Sequence, residues 1–433
     1  MTERVPAITG VGLISSLASS LEGHWQGMLQ LATGIRQVAK EDVPRALRYA
    51  GQVRDDALPA DTPAEVLKQG RLISPSSRLG LRAVDEAVRR SGLDMLQIPP
   101  ARRALYIGAA DYSKDDYRDF YAAFREAGVG AGRAIDAEHI NRATLHTVDP
   151  FFLLEGLTNN LVAFVSRRYQ LQGPNTTLAS QSPCGAQALD LACRSLLQHE
   201  ADVAIVVGAC VWSRLVSLFD LDALGLLSQC RDGSTSFRPF DGQRDGFIAG
   251  DGAAALVLEP LGLARARGAR VLGCVRGLAS FTDGSDTANL EGSVETTRRA
   301  MAAALDEAGV RPEEIAFISP HGNGTQKGDR VELSAISELL DRNRAVVPIS
   351  AMKPYTGHMG AASDIAEIAL ALVALENGLA PATPNFRAAD AGFEDVDIVP
   401  LHRRVGAQHV LSMSQGLGGQ SVAIVVSAGS GPD

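Results

Sequence analysis

Cys184 stands in the stretch Gln181-Ser182-Pro183-Cys184-Gly185-Ala186-Gln187-Ala188, where a short strand hands over to an apolar helix. Downstream, Ala186, Leu189, Ala192, Cys193, Leu196 and Leu197 recur at helical spacing with no Pro or Gly between them. Upstream, Gly173-Pro174-Asn175-Thr176-Thr177-Leu178-Ala179 reads as a turn and a strand. The unpaired N–H groups and positive dipole end of a helix start favour a thiolate over a thiol. Gly185 leaves room beside the sulfur. Such a position supports nucleophilic chemistry, although a free cysteine is by itself among the most commonly buried residue types.

Three other segments carry reactive residue types. One is His321-Gly322-Asn323-Gly324-Thr325, followed by Gly328-Asp329 and Glu332. Another is Lys353-Pro354-Tyr355-Thr356-Gly357-His358-Met359-Gly360-Ala361-Ala362. The last is a glycine-rich loop, Gln415-Gly416-Leu417-Gly418-Gly419-Gln420-Ser421. Singly they are ordinary. A loop histidine is commonly a surface or satisfied core residue, and a lone lysine is usually solvated. The glycine loop is no dinucleotide fingerprint, because no long helix follows it. Together they place a thiol, two histidines and a lysine at strand-to-helix turns, which gather at one end of an α/β sheet.

The elements that must hold these turns alternate along the chain. Strand-like Val5–Gly12, a helix at Leu21–Leu31, a polar loop at Asp56–Pro63, a helix at Ser77–Ser91 and a strand at Leu105–Gly108 come first. Residues 110–150 are charged and irregular, and read as an excursion near a partner or substrate. Phe151–Tyr169 reads as helix, Asp202–Cys210 as a buried strand, Leu218–Leu227 as an apolar stretch, Cys230–Asp245 as a long loop and Gly252–Leu258 as a strand. The pattern then begins again. Val271–Ala279 reads as strand, Ser293–Ala308 as helix, Ile315–Ser319 as strand, Val331–Leu340 as helix, Val346–Ser350 as strand and Ala351–Gly360 as loop. An apolar helix, Ala361–Glu376, and strands near Val396–Leu401, Val410–Met413 and Val422–Ser427 complete it. Thr177–Leu197 and Val347–Leu375 are built alike, a strand, a small-residue turn, then an apolar helix sandwiched between sheets. This predicts an α/β protein with two similar halves, residues 1–255 and 256–433.

The 433 residues are 45% hydrophobic and 21% charged, so a large core is available. The 41 basic against 50 acidic residues give a net charge of −9, which argues against general nucleic-acid binding. The cysteines, Cys184, Cys193, Cys210, Cys230 and Cys274, are odd in number and form no CxxC pair, and with the histidines they show no zinc-ligand spacing. No metal site and a reducing cytoplasm are expected. The N-terminus enters an apolar strand at once, with no signal peptide, and no apolar run is long enough to span a membrane.

The motifs, in their order, resemble those of the β-ketoacyl-acyl carrier protein synthases of the thiolase-like condensing enzymes, from Thr9-Gly10 to the last strand. The family's Ala-Cys-Ser or Ala-Cys-Ala is Pro183-Cys184-Gly185 here. Its His-Gly-Thr-Gly-Thr is His321–Thr325, with Gly328-Asp329 and Glu332 intact, and its Lys-Ser-x-x-Gly-His is Lys353–His358. Its Arg-Pro-Phe-Asp and Arg-Asp-Gly-Phe are Arg238–Asp241 and Arg244–Phe247. The resemblance implies a thiolase-like fold of two βαβαβαββ halves in a five-layer αβαβα sandwich. It implies an acyl chain carried on Cys184, an oxyanion hole from the N–H groups of Cys184 and Leu417, and malonyl decarboxylation assisted by His321 and His358. It implies that Lys353 orients His321 and links to Glu332, with Asp329 in support. No cofactor is implied, since phosphopantetheine comes with the acyl carrier protein. The assembly implied is a homodimer, or a heterodimer with a chain-length factor, with the edge of Asp202–Cys210 at the two-fold interface. Lys68, Arg71 and Arg231 lie in segments that flank the carrier entrance in the family.

The departures fall around the acyl pocket. The usual Phe residues of the glycine loop are Gln415 and Leu417, the usual Thr-Asn is Gln420-Ser421, and the usual Gly after Gly-Ala-Ala is Ser363. Leu417 in place of an aromatic gate leads us to expect more volume beside Cys184 and an acyl chain that is bulky, rigid or unsaturated, such as a polyene or aryl group; the competing reading is that Leu417 repacks with a neighbour such as Phe240 and leaves the cavity unchanged. The departures imply a specialised synthase of fatty acid or polyketide type. Two other classes compete. A chain-length factor usually lacks the cysteine, and a cysteine acyltransferase without decarboxylation has no need of both histidines. A thiolase proper carries a second cysteine near its C-terminal glycines, and none occurs after Cys274.

Overall fold

In a computed structural model the chain is described at all residues but 1, 40–42, 56, 59–61, 63–67, 69–72, 111–117, 129–135, 153–156, 285–291, 342–346 and 430–433. The first half contributes strands β1 (Pro6–Ser15), β2 (Arg103–Ala110), β3 (Asn175–Ser180), β4 (Val203–Val211) and β5 (Asp251–Pro260). The second contributes β6 (Gly273–Thr282), β7 (Ile315–Ser319), β8 (His409–Gly416) and β9 (Gln420–Ala428). They lie in the order β3-β2-β4-β5-β1-β6-β9-β8-β7. Each half repeats one pattern. β1 pairs antiparallel with β5, β5 antiparallel with β4, and β4 parallel with β2. Likewise β6 pairs antiparallel with β9, β9 antiparallel with β8, and β8 parallel with β7. The halves touch through β1 and β6 only at Ala7↔Cys274 and Ile8↔Gly273. Two similar halves are therefore present, and they join between β5 and β6. The division placed after residue 255 cuts β5 instead.

The helices complete the repeat. α1 (Leu21–Leu29) follows β1, and α2 (Pro75–Ser91) precedes β2. The excursion after β2 holds α3 (Arg118–Glu126) and α4 (Ala137–Thr147), and α5 (Asn160–Tyr169) begins later than the apolar pattern from Phe151 predicts. α6 (Cys184–Leu197) lies between β3 and β4, and α7 (Leu215–Ala223) follows β4. α8 (Val294–Ala308), α9 (Gln326–Leu340) and α10 (Ala361–Glu376) are the second-half equivalents of α2, α5 and α6. α9 starts ahead of the predicted Val331 because the Thr325 hydroxyl caps it, accepting the Gly328 N–H at 3.1 Å.

Strand side chains alternate between cores, which is how five layers arise. On β5, Ala254, Leu256 and Leu258 face a central core, while Ala253, Ala255 and Val257 face an outer one with α2 and α5. On β9, Val422, Ile424 and Val426 face the same central core, while Ala423 and Val425 face the opposite outer one with α8 and α9. The central core holds α6 and α10. All of α10 is buried except Val373 and Glu376, as expected of a helix sandwiched between sheets.

Four further expectations need correction. The predicted strand Val346–Ser350 is reduced, among the described residues, to Ile349, bridged to Ile318 and Ile398, and the strand expected near Val396–Leu401 to that same Ile398 bridge. The predicted loop Ala351–Gly360 contains a helical turn, Lys353–Thr356. Asp202–Cys210 offers no edge, because β4 is paired on both sides by β2 and β5; β3 is the outermost strand of its half.

The central layer tolerates no added atom at Gly208 of β4. A Cβ there would stand 2.3 Å from the Ala361 carbonyl oxygen and 2.9 Å from the Ala362 Cα. Gly208→Ala is expected to cost about 3 kcal/mol by overpacking. Gly268→Ala, where an added Cβ meets nothing within 4 Å, is expected to cost about 1 kcal/mol for its positive φ. Urea midpoints of the two variants measure the difference.

Candidate active site

The nucleophile turn is pinned from three directions. Cys184 is the first residue of α6, with Pro183 at the cap position and no side-chain cap of its own. Cys184 is 1% exposed, and its sulfur lies 3.4 Å from the Ser180 carbonyl oxygen and 3.7 Å from that of Ala109. A Cβ on Gly108 would stand 2.6 Å from the Gly185 backbone, and one on Gly416 would stand 1.9 Å from the Ser182 carbonyl oxygen. The close approach at Gly416 brings the β8–β9 turn, with Leu417 in it, against the nucleophile turn.

The expectation that the helix start favours a thiolate meets a competitor. The Asp364 carboxylate, from the first turn of α10, accepts the N–H groups of Gly185 (3.1 Å) and Ala186 (3.4 Å). Its other oxygen accepts the Ser182 hydroxyl at 3.1 Å. Burial pushes the Asp364 carboxyl up to about 6, against the opposing pull of Lys353.

The two histidine rings stand edge to face, their centroids 5.2 Å apart. Backbone bridging holds His358: its N–H donates to the Ile248 carbonyl and its own carbonyl accepts from Gly250, both at 2.8 Å. The Gly360 N–H donates to Nδ1 of His358 at 3.1 Å. Nδ1 is therefore the acceptor, and a neutral ring carries its proton on Nε2. Burial first, and the Lys353 charge second, hold His358 well below the usual histidine range; the same two causes, with His358 added, act on His321. Both rings are thus neutral at pH 7, able to donate a hydrogen bond without presenting a full charge. Trp212 and Phe247 pack on His358, with centroids at 5.3 and 4.8 Å.

Lys353 does not bridge to Glu332. Its Nζ pairs with both oxygens of Glu367 at 2.9 Å and donates to the His321 carbonyl at 2.5 Å. Glu332 instead holds the histidine loop, accepting the N–H groups of His321 at 2.7 Å and Gly322 at 2.8 Å. Burial pushes Glu332 up to about 8 against the pull of those donors. Asp329 supports the same loop through the N–H groups of Gly324 (2.9 Å) and Phe240 (2.6 Å), with Arg244 at 3.3 Å. Phe240 is not among the residues that line the cleft shared by the two histidines. It is fully buried in the outer core, behind Gly322.

His321, His358, Leu417 and Gln415 line one cleft, together with Trp212 and Phe247. Its free volume is about 30 Å³, room for only a few waters. The cleft that Leu417 lines is also lined by the fully buried Trp212, its ring nearly parallel to Phe247 at 22°. Gln415 donates to Thr297 at 3.1 Å. Lys68 and Arg231 are exposed, and Arg71 lies outside the described residues.

Sequence reasoning passed over Asp364, Glu367 and Trp212. The first two left a signal. They are acids three residues apart on a helix otherwise apolar all round, and a buried carboxylate must find a partner. Nothing marked Trp212.

A cysteine at the head of one central helix, with two neutral imidazoles of the other half lining the same cleft as Gln181 and Ser182 of its turn, fits the arrangement of a thiolase-like condensing enzyme. Residues 3–264 match the model of the β-ketoacyl synthase N-terminal domain, and residues 272–387 that of its C-terminal domain. The chain belongs to the β-ketoacyl synthase family and is a condensing acyltransferase. It is 30% identical over 436 residues to a putative polyketide β-ketoacyl synthase 1 of Streptomyces cyaneus, covering 100% of this chain and 99% of that protein. It is 27% identical to 3-oxoacyl-[acyl-carrier-protein] synthase 2 of Coxiella burnetii, covering 99% of each. Among solved structures it resembles the ishigamide ketosynthase/chain length factor (TM-score 0.80, 26% identity, 98% of this chain and 99% of that one). It also resembles a type II polyketide synthase acyl carrier protein in complex with its ketosynthase bound to a hexaketide (TM-score 0.83, 21% identity, 98% and 100%). No helix among the described residues is long and apolar enough to cross a membrane.

The Lys353–Glu367 pair has a testable energetic signature. Removing one member of a buried ion pair leaves the other uncompensated, at a cost of about 3–5 kcal/mol. Lys353→Met is expected to fall by that amount in urea denaturation at pH 8. Lys353→Met with Glu367→Leu is expected to recover most of it while staying inactive, because the His321 carbonyl still lacks its Nζ donor.

Proposed function

We propose that this chain is the elongating ketosynthase of a specialised type II fatty acid or polyketide pathway in the cytoplasm. The observation that carries the reading is the paired neutral histidines facing the same cleft as the Cys184 turn. Cys184 takes an acyl group from an acyl carrier protein thioester, and the carrier's pantetheine thiol leaves with the proton. The N–H groups of Cys184 and Leu417 receive the carbonyl oxygen as it gains charge. Malonyl carrier then loses CO2. His358 Nε2–H and the His321 ring donate to the thioester oxygen of the enolate. The C2 carbanion attacks the acyl-Cys184 carbonyl, releasing the Cys184 sulfur and a 3-oxoacyl carrier. Every step balances with side chains and carrier alone, so no metal or organic cofactor is assigned. Lys353 and Glu367 hold the His321 backbone, while Glu332 and Asp329 hold its loop.

A cleft lined by the flat rings of Trp212 and Phe247 favours a flat acyl chain, as in a polyene or aryl group, over a coiled saturated one. The outermost strand β3 is the surface for a second chain, whether a copy of this one or a chain-length factor. Retention of Cys184, His321 and His358 supports the catalytic role over that of a chain-length factor.

Intact-mass analysis after incubation with a panel of acyl carriers tests the reading. Acyl adducts on Cys184, strongest for unsaturated chains, are expected; no adduct from any carrier would sink it. His358→Ala is expected to acquire the adduct yet make 3-oxo product at least 100-fold more slowly, as befits loss of a group active in one step only. Normal condensation by this variant would remove His358 from its role. The combined reversal of Lys68, Arg71 and Arg231 to Glu is expected to raise KM for carrier-bound substrate about tenfold and to leave a small thioester mimic nearly unaffected. Equal loss with both substrates would rule out docking.

A further inference from the structure

The amide donors that open α6 are the groups that would stabilise a Cys184 thiolate, and in this chain a second anion already holds two of them. Asp364 is 1% exposed and reaches across the central layer from the first turn of α10 to the Gly185 and Ala186 N–H groups. The contact is built to be close. A Cβ on Gly185 would meet the Ala361 carbonyl oxygen at 2.2 Å and Asp364 Oδ2 at 3.0 Å. The sulfur itself stands beside the carbonyl oxygens of Ser180 and Ala109, acceptors that suit S–H and oppose S⁻. We propose that Asp364 is a positioning residue that restrains Cys184 as a neutral thiol, by competing with its thiolate for the N-terminal donors of α6.

Two anions at one helix start, in a dry layer, repel each other, so each makes the other harder to form. The charged and polar groups facing Asp364 come from every surrounding element. Lys353 draws it toward the ionised form, as do the hydroxyls of Ser182 and Ser414. Glu367, one turn further along α10, is pushed up to about 7 by burial and also by Asp364 itself. Above about pH 6 Asp364 is ionised and the thiolate is disfavoured; below it the carboxyl is neutral and the restraint lifts. The consequence is a resting enzyme whose cysteine is slow toward stray electrophiles.

The inference rests on Cys184 being the nucleophile, but its test needs neither carrier nor condensation. The probe is iodoacetamide, with alkylation of Cys184 followed by peptide mass spectrometry between pH 5 and pH 9. In the wild-type protein the logarithm of the rate is expected to rise with pH, flatten near pH 6 as Asp364 ionises, then rise again on a lower line. Asp364→Asn keeps an oxygen for the two N–H groups and removes the charge. It is expected to lose the flattening and to react roughly tenfold faster at pH 7, with the profile's midpoint moved down by about one unit. Asp364→Ser, which also removes the charge, serves as a second variant and is expected to lose the flattening too. A cap that were only structural would leave the profile's shape unchanged in Asp364→Asn. A wild-type profile without flattening, or flattening retained in either variant, overturns the proposal, and neither outcome touches the condensing role.

Discussion

The structure depends on how closely two helix starts approach in the central layer. The Ala361 carbonyl oxygen, at the head of α10, faces Gly185 of α6 and Gly208 of β4 at distances that exclude a single carbon atom. That approach sets the halves of the molecule against each other, since α6 belongs to one and α10 to the other. The histidines of one half line the same cleft as Gln181 and Ser182, in the cysteine turn of the other. Dense packing makes the arrangement unforgiving, because interiors at crystal-like density cannot absorb an added methyl without moving backbone. The close approach of the two helix starts therefore requires glycine at 185 and 208.

Charge burial follows from the same constraint. A helix enclosed on all sides has no route to water for an acid on it, so Asp364 and Glu367 must be answered from within. Lys353 answers Glu367, and the backbone donors of α6 answer Asp364. The two pairs lie one turn apart and polarise each other. Burial first, and the Lys353 charge second, keep both histidines neutral. A neutral imidazole donor matches the chemistry, in which an oxygen gains charge only as CO2 departs and must release its stabilisation when the carbanion attacks.

Much of this was legible in the residues. The duplicated strand-turn-helix pattern at Thr177–Leu197 and Val347–Leu375 maps onto α6 and α10, and the all-apolar runs of Asp202–Cys210 and Gly252–Leu258 are strands buried on both faces. What escaped was contact between segments far apart in the chain. Periodicity tells which way a helix faces, and says nothing about which acid meets Lys353. Glu332 was the nearer candidate in motif terms and Glu367 the true partner, because the α10 register brings its second acid under the lysine. Phe240 looked like a pocket aromatic and is a support behind Gly322. The interior place of β4 was hidden for the same reason, since strand order is a property of pairing and not of composition.

Trp212 shows how one such contact changes a functional expectation. A smaller residue at Leu417 leads naturally to a wider cleft if its surroundings stay fixed. They do not stay fixed, for Trp212 stands in the same cleft and packs on His358 and Phe247. Its ring confines the space to a slot and at the same time buttresses His358, whose Nδ1 is already held by Gly360. The lining of the cleft and the packing of His358 thereby share one side chain, so a change at Trp212 disturbs both through packing rather than through any hydrogen bond between them.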